Sequence, residues 1–254
     1  MIHRQFCVVI TGASSGLGAA LARQYASDGV ALGLIARNVT RLEVVADECR
    51  SLGAYVETIR LDVTDQEACA SWFNEFDSRY PIDLCIANAA VTNAVIRHQS
   101  IEDIKTMHTL LATNVGGVLN TLHAAIPNMQ KRQRGQLVII SSLAAFRGLP
   151  ITPSYCASKS AISAYAEALR ANLAGYNVSV SIAYPGFIQS PLSEKFPGNK
   201  PFMISADRAA SNIISGIAKK RARIIFPYIL YVGISALKYM PSRWGDWILK
   251  KISF

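Results

Sequence analysis

The sequence predicts an α/β fold: a single Rossmann-type doubly wound parallel sheet with helices on both faces and a helical C-terminal extension. Three observations lead there. Apolar runs of strand length recur between longer helical patterns, several runs are unbroken rather than alternating, and the first feeds a glycine-rich turn that opens a helix. Continuous apolar strands suit a parallel sheet covered on both faces, because neither side-chain direction meets water.

The strand-like runs are FCVVIT at 6–11, VALGLIA at 30–36, AYVETIRL at 54–61, DLCIA at 83–87, QLVII at 136–140 and VSVSIAY at 178–184. Between them stand helix signals. Asn38 and Thr40 precede RLEVVADECRSLG, with Gly53 as the stop, and Thr64 and Asp65 open QEACASWFNEFDSRY, which Pro81 closes. The run 187–204 is rich in Pro, Gly and Ser, follows a strand end and exceeds the usual connection length, so it reads as a lid over a ligand. Residues 1–226 form the dinucleotide-binding catalytic domain in this reading, and 227–254 the extension.

At 254 residues the chain can bury a core without metals or disulfides. Its five cysteines, at 7, 49, 69, 85 and 156, show no metal-ligand spacing, and their odd number points to a reducing compartment. No metal site is expected. The N-terminal MIHRQFCVVITG enters a strand at once and leaves no room for a secretion signal, so a cytoplasmic location is expected. The formal charge of +9 fits an anionic cofactor or an acidic membrane surface. Nucleic acid is not expected, since no binding motif accompanies the charge.

Chemistry enters with TGASSGLG, Thr11 to Gly18. Gly12 permits a tight turn, Gly16 admits a pyrophosphate close to the backbone, and Gly18 lets the helix pack on the sheet. The helix N-terminus then offers amides and a positive dipole to phosphates. At the end of the second strand, where a ribose-binding carboxylate would favour NAD, stand Ala36 and Arg37. A guanidinium there suits the 2′-phosphate of NADP(H). The bland alternative is a solvated strand-end charge.

Ser142 follows the strand QLVII, and Tyr155 and Lys159 stand four apart in SYCASK, on one face of a helix. An ammonium beside the phenol is expected to lower its pKa and make Tyr155 a proton exchanger near neutral pH. Ser142 would hydrogen-bond the substrate oxygen.

Together TGASSGLG, LDV at 61–63, ANAA at 87–90, Asn114 in TNVGG, SS at 141–142, YCASK and PGFIQS at 185–190 resemble the short-chain dehydrogenase/reductase family, up to about residue 226. The resemblance implies catalytic roles for Asn114, Ser142, Tyr155 and Lys159, with Asn114 holding a water in a proton relay. It implies cofactor contacts from Gly12, Ser14, Ser15, Gly16, Leu17, Gly18, Arg37, Asp62, Val63, Asn88, Tyr155, Lys159, Pro185, Gly186, Ile188 and Ser190. Asp62 and Val63 would meet the adenine, Lys159 the nicotinamide ribose, and Ile188 and Ser190 the carboxamide. Two positions depart from the family pattern: Ala90 stands for glycine and Ser190 for threonine. The family also implies a homo-oligomer. The activity expected is NADPH-linked hydride transfer to a carbonyl or from a secondary alcohol. Two alternatives stand beside a lipophilic substrate: a soluble 3-oxoacyl or small-ketone reductase, and a non-catalytic NADPH-binding module.

In the tail, residues 224–237 are uncharged and largely apolar, yet too short to span a bilayer. Trp244, Trp247, Ile248 and Ile252 recur at helical spacing, with Asp246, Lys250 and Lys251 on other sides. Lys219, Lys220, Arg221, Arg223, Lys238 and Arg243 flank the apolar residues. An amphipathic helix on a membrane surface and a dimer or core-covering face both fit, and the tail resembles extensions of membrane-associated hydroxysteroid-dehydrogenase-like proteins.

Overall fold

The computed structural model describes residues 5–93, 101–196 and 199–252, with side chains described up to Leu249. Met1–Arg4 and the side chains of Lys250, Lys251 and Ile252 therefore lie outside the described set, as do residues 197–198 of the lid candidate.

Seven strands form one sheet: β1 (Phe6–Thr11), β2 (Val30–Ala36), β3 (Tyr55–Arg60), β4 (Leu84–Ala87), β5 (Gly135–Ile140), β6 (Val178–Pro185) and β7 (Arg223–Phe226). Their order is β3-β2-β1-β4-β5-β6-β7, and every ladder is parallel. The order reverses between β1 and β4, and a crevice opens outside the carboxyl ends of the strands at such a point. Six strands match the apolar runs of the sequence. The seventh, RIIF, is too short to stand out from the apolar tail that follows it.

The helices are α1 (Gly16–Tyr25), α2 (Val39–Ser51), α3 (Gln66–Arg79), α4 (Ile104–Leu111), α5 (Val118–Lys131), α6 (Pro153–Leu173), α7 (Pro191–Glu194), α8 (Ala206–Ala218), α9 (Tyr228–Tyr239) and α10 (Ser242–Ile252). Of the two pairs of cap signals, Asn38 and Asp65 are the caps, while Thr40 lies inside α2 and Thr64 precedes the cap of α3. Asn38 Oδ1 accepts from Arg41 N at 2.9 Å, Asp65 Oδ1 accepts from Ala68 N at 2.9 Å, and Gly53 leaves α2 in the left-handed region at φ 92°.

Each sheet face has its own core. One buries Phe73, Phe76, Leu122 and Ile162 of α3, α5 and α6, and the other buries Leu21, Leu42, Val45 and Ile213 of α1, α2 and α8. Gly33 in β2 explains the fit of the first: a Cβ there would sit 2.8 Å from Trp72 and 2.9 Å from Phe76, whose rings stack at 4.8 Å. Truncating a phenylalanine such as Phe73 to alanine costs roughly 3–5 kcal/mol.

Candidate active-site cleft

A cleft of about 650 Å³ opens at the carboxyl ends of β1, β2, β4, β5 and β6. Its floor at β1 is a turn that only small residues allow. Gly12 lies at φ 69° with Ala89 Cα 2.9 Å from where a Cβ would be, and a Cβ on Gly18 would fall 2.2 Å from the Gly12 carbonyl oxygen. Gly16, at φ 54°, also lets α1 begin against Ser190.

Thr11, which the sequence reading passed over, ties this turn to β4. Its hydroxyl accepts from the amides of Asn88 at 3.0 Å and Ala89 at 3.1 Å. The Asn88 amide group donates back to the carbonyls of Thr11 at 2.9 Å and Gly12 at 3.2 Å. Ser15 caps α1 without a side-chain hydrogen bond, so the first amides of the helix keep their capacity for an anion.

At the end of β2, Arg37 Nη1 lies 3.5 Å from Asp62 Oδ2, with both side chains substantially exposed. Partial burial works against the Asp62 carboxylate, yet the amide and hydroxyl of Thr64, together with Arg37, hold its pKa below the ordinary value. Arg37, Asp62 and the buried Val63 all line the cleft.

At the other end, Ser142 follows β5 in extended conformation and starts a short 3₁₀ turn over Leu143–Ala145. Tyr155 and Lys159 lie in the first two turns of α6, and all three line the cleft. Glu102 holds the start of α6, because Thr152 caps it without a side-chain bond. Its carboxylate accepts from the Ser154 amide at 2.9 Å and the Ser154 hydroxyl at 3.0 Å. No local signal marks Glu102, since its partner is 52 residues away.

The electrostatics correct one expectation. Lys159 Nζ donates to the Ile140 carbonyl at 2.8 Å and stands 5.6 Å from the centre of the Tyr155 ring, over the ring. Burial pushes the Tyr155 phenol up to about 12, against the opposing hydrogen bond from Ser142. Burial also lowers Lys159 to about 8. The shift therefore runs opposite to the lowering expected from the four-residue spacing, because desolvation outweighs the hydrogen bond from Ser142.

Asn114 lies behind the cleft wall, between the backbone after β4 and α6. It sits in a π-helical turn, Ala112–Gly117, is fully buried and does not line the cleft. Its side chain accepts from Val91 N at 2.8 Å and donates to Val91 O at 2.9 Å and to Ser158 Oγ at 3.2 Å. Its described bonds tie the backbone after β4 to α6.

Pro185, Gly186, Ile188 and Ser190 line the cleft beyond β6. Ser190 is engaged in a capping box with Ser193 at the start of α7. The lid candidate is tethered at both ends, where Ile188 bridges to Ile204.

The family profile described as short chain dehydrogenase matches residues 6–200. The chain belongs to the short-chain dehydrogenase/reductase family. This oxidoreductase is 37% identical over 242 residues to an uncharacterized oxidoreductase of Myxococcus xanthus, covering 94% of each chain. It is 34% identical to 11-beta-hydroxysteroid dehydrogenase-like 4A of Arabidopsis thaliana, covering 87% of this chain and 76% of that one. A short-chain dehydrogenase from Sphingobium yanoikuyae solved in complex with NADPH shares the fold at TM-score 0.80 and 23% identity, over 97% of this chain and 93% of its own. A Burkholderia phymatum family member in complex with NAD does so at 0.82 and 22%, over 92% and 93%.

The dehydrogenase cleft has walls that motif reading does not reach. Leu143, Leu149, Leu192, Phe196, Leu230 and Ile234 supply an apolar lining, the last two from α9. The charged groups among the described lining residues are Arg37, Asp62 and Lys159. The i, i+4 spacing of Leu230 and Ile234 could have been read as one helix face, but nothing in the sequence aims that face at the cleft.

Proposed function

We propose that this protein is an NADPH-dependent carbonyl reductase acting on an uncharged, lipophilic ketone or aldehyde. The carrying observation is one cleft that joins a glycine turn and a strand-end arginine to an apolar pocket, with the Tyr155 and Ser142 hydroxyls in its wall. Backbone that no Cβ could enter at Gly12 and Gly18 and a helix start with no side-chain cap suit a diphosphate. Arg37, with no carboxylate at the end of β2, suits a 2′-phosphate. In that reading Ser14, Ser15, Leu17, Asn88, Pro185, Gly186, Ile188 and Ser190 complete the cofactor wall. The nicotinamide, when bound, supplies the hydride.

The protein's own part is proton delivery and charge stabilisation. A phenol held near 12 keeps its proton at neutral pH, which is the state a donor to a carbonyl oxygen requires. Ser142, which hydrogen-bonds the Tyr155 phenol and makes only a weak 3.5 Å contact with Pro185 O, offers a second hydroxyl to that oxygen. Lys159, fixed by Ile140, places a cation beside the phenol and supports the negative charge left there on proton transfer. Asn114 acts as a positioning residue through Val91 and Ser158. The apolar wall favours a lipophilic substrate, because a buried charge without a partner would be costly there.

The test is NADPH oxidation with steroid, lipid, 3-oxoacyl and small ketones, repeated with NADH. Tyr155→Phe is expected to lower turnover by at least about 100-fold while NADPH still binds. A fully active variant overturns the mechanism, equal affinity for the two cofactors overturns the NADPH assignment, and failure on every carbonyl favours a non-catalytic cofactor-binding module. Turnover of small ketones alone would favour a soluble reductase of that class.

A peripheral membrane location is part of the reading. Tyr228, Ile229, Val232 and Tyr239 of α9 and Trp244 of α10 are exposed, with the exposed Lys238 and Arg243 beside them. Apolar and aromatic groups flanked by cations suit an anionic leaflet.

A further inference from the structure

We infer that α9 and α10 clamp the segment joining Ser142 to Tyr155, and that Arg147 and Asp246 are positioning residues for the reaction. The inference rests on the reading of this cleft as a carbonyl-reducing site.

Two consecutive residues of that segment are gripped by the two tail helices. Phe146 packs between Tyr184 of β6 and Tyr231 of α9, with ring centroids 4.8 Å and 4.9 Å away. Arg147 Nη2 donates to Asp246 Oδ1 of α10 at 2.7 Å. The guanidinium is mostly covered, and its Nε is buried with no hydrogen-bond partner. A cation in that condition leans on the counter-charge that reaches it.

Leu249, 5% exposed, adds an apolar anchor one helical turn beyond Asp246. It faces a second hollow lined also by Gly148, Leu149, Pro150, Pro153 and Cys156. Leu149 lines both this hollow and the active-site cleft, so a shift of α10 reaches the substrate wall through one side chain. The body of the enzyme also holds the segment: Ser160 Oγ donates to Ala145 O at 2.7 Å, and Thr152 Oγ1 donates to Asn93 O at 3.0 Å. Within residues 146–149 the body contributes two backbone bonds, Phe146 N to Leu143 O and Thr152 N to Leu149 O at 3.1 Å each, the Tyr184 ring against Phe146, and the 3.3 Å contact of Leu149 N with Cys156 Sγ, while the side chains of Phe146 and Arg147 reach the tail.

Asp246 is exposed enough that the pair is too weak to decide whether the protein folds. It is strong enough to bias a loop. In the full-length enzyme, Asp246→Asn is expected to raise KM for the carbonyl about two- to fivefold. kcat and KM for NADPH should stay within about twofold of the wild type. Amide exchange should quicken in 146–152 and stay unchanged in α3. The swap Arg147→Asp with Asp246→Arg should restore both readouts. Unchanged exchange in 146–152 sinks the clamp, whatever the turnover. Faster exchange with an unchanged carbonyl KM sinks the positioning role, and faster exchange throughout α3 shows a general loss of stability instead. If no carbonyl is reduced at all, the reading of the cleft fails, and exchange alone then decides the clamp.

Discussion

An ammonium taken out of water loses hydration that one carbonyl does not replace, and Lys159 shows the result. It is 2% exposed, donates to Ile140 O, and burial lowers its pKa to about 8. Between about pH 8 and 10.5 the unfolded chain holds this proton and the folded protein does not, so folding stability from this group rises with pH across that window. Below pH 8 the full penalty stands, on the order of 3 kcal/mol at about 1.4 kcal/mol per pKa unit. Lys159→Met is therefore expected to unfold at higher urea than the wild type at pH 7, with the gap closing towards pH 10.5, and to lose turnover. A methionine variant less stable than the wild type at pH 7 would show that the lysine's hydrogen bond outweighs its desolvation. At this scale the sequence is a partial guide. The spacing of four puts Tyr155 and Lys159 on one helix face, and both line the cleft. The direction of the phenol's pKa depends on burial, which spacing does not encode. The partner of Arg37 is likewise a tertiary fact, since Asp62 is 25 residues away.

Helix α6 shows how elements hold such residues in place. The carbonyl of Lys159 accepts from Ser163 Oγ at 2.7 Å and Ser141 Oγ at 3.1 Å, which fastens the helix to the end of β5. Glu102 fastens its first turn, and a carboxylate there also complements the helix dipole. Glu102→Ala should lower the unfolding free energy by about 1–2 kcal/mol, measured by urea titration. Glu102→Gln should recover part of the loss, because its amide oxygen can still accept from Ser154. Equal stability of Glu102→Ala and wild type would mean that water caps the helix as well. Strands and helices of the body were legible because their apolar periods and caps are local, as Asn38, Asp65 and Gly53 illustrate. The ties from Glu102, Asn114 and Ser141 were not, because each joins elements distant in the chain.

Over the whole molecule, the tail has an inward face and an outward one. Leu230 and Ile234 turn inward to the cleft and Tyr231 packs on Phe146, so the core-covering reading describes one side of α9. Among the described residues of α10, Gly245 and Leu249 are buried, while Trp244 of the expected apolar stripe is exposed. Ile229, Val232 and Tyr239, at spacings of three and seven, share the outward side of α9. Among the described residues no helix is long and apolar enough to cross a bilayer, so the proposed contact is with its surface. Each cation near an anionic leaflet contributes about 1 kcal/mol, and removing two should weaken binding roughly 30-fold. The full-length protein is expected to float with phosphatidylserine-rich vesicles, less so as salt rises. Lys238→Ala with Arg243→Ala should cut the floated fraction by that order, and Val232→Glu should abolish flotation while carbonyl reduction in detergent persists. If the wild type stays at the bottom and its particle mass is twice that of Val232→Glu, the outward face belongs to a second copy of the chain and the membrane reading is overturned.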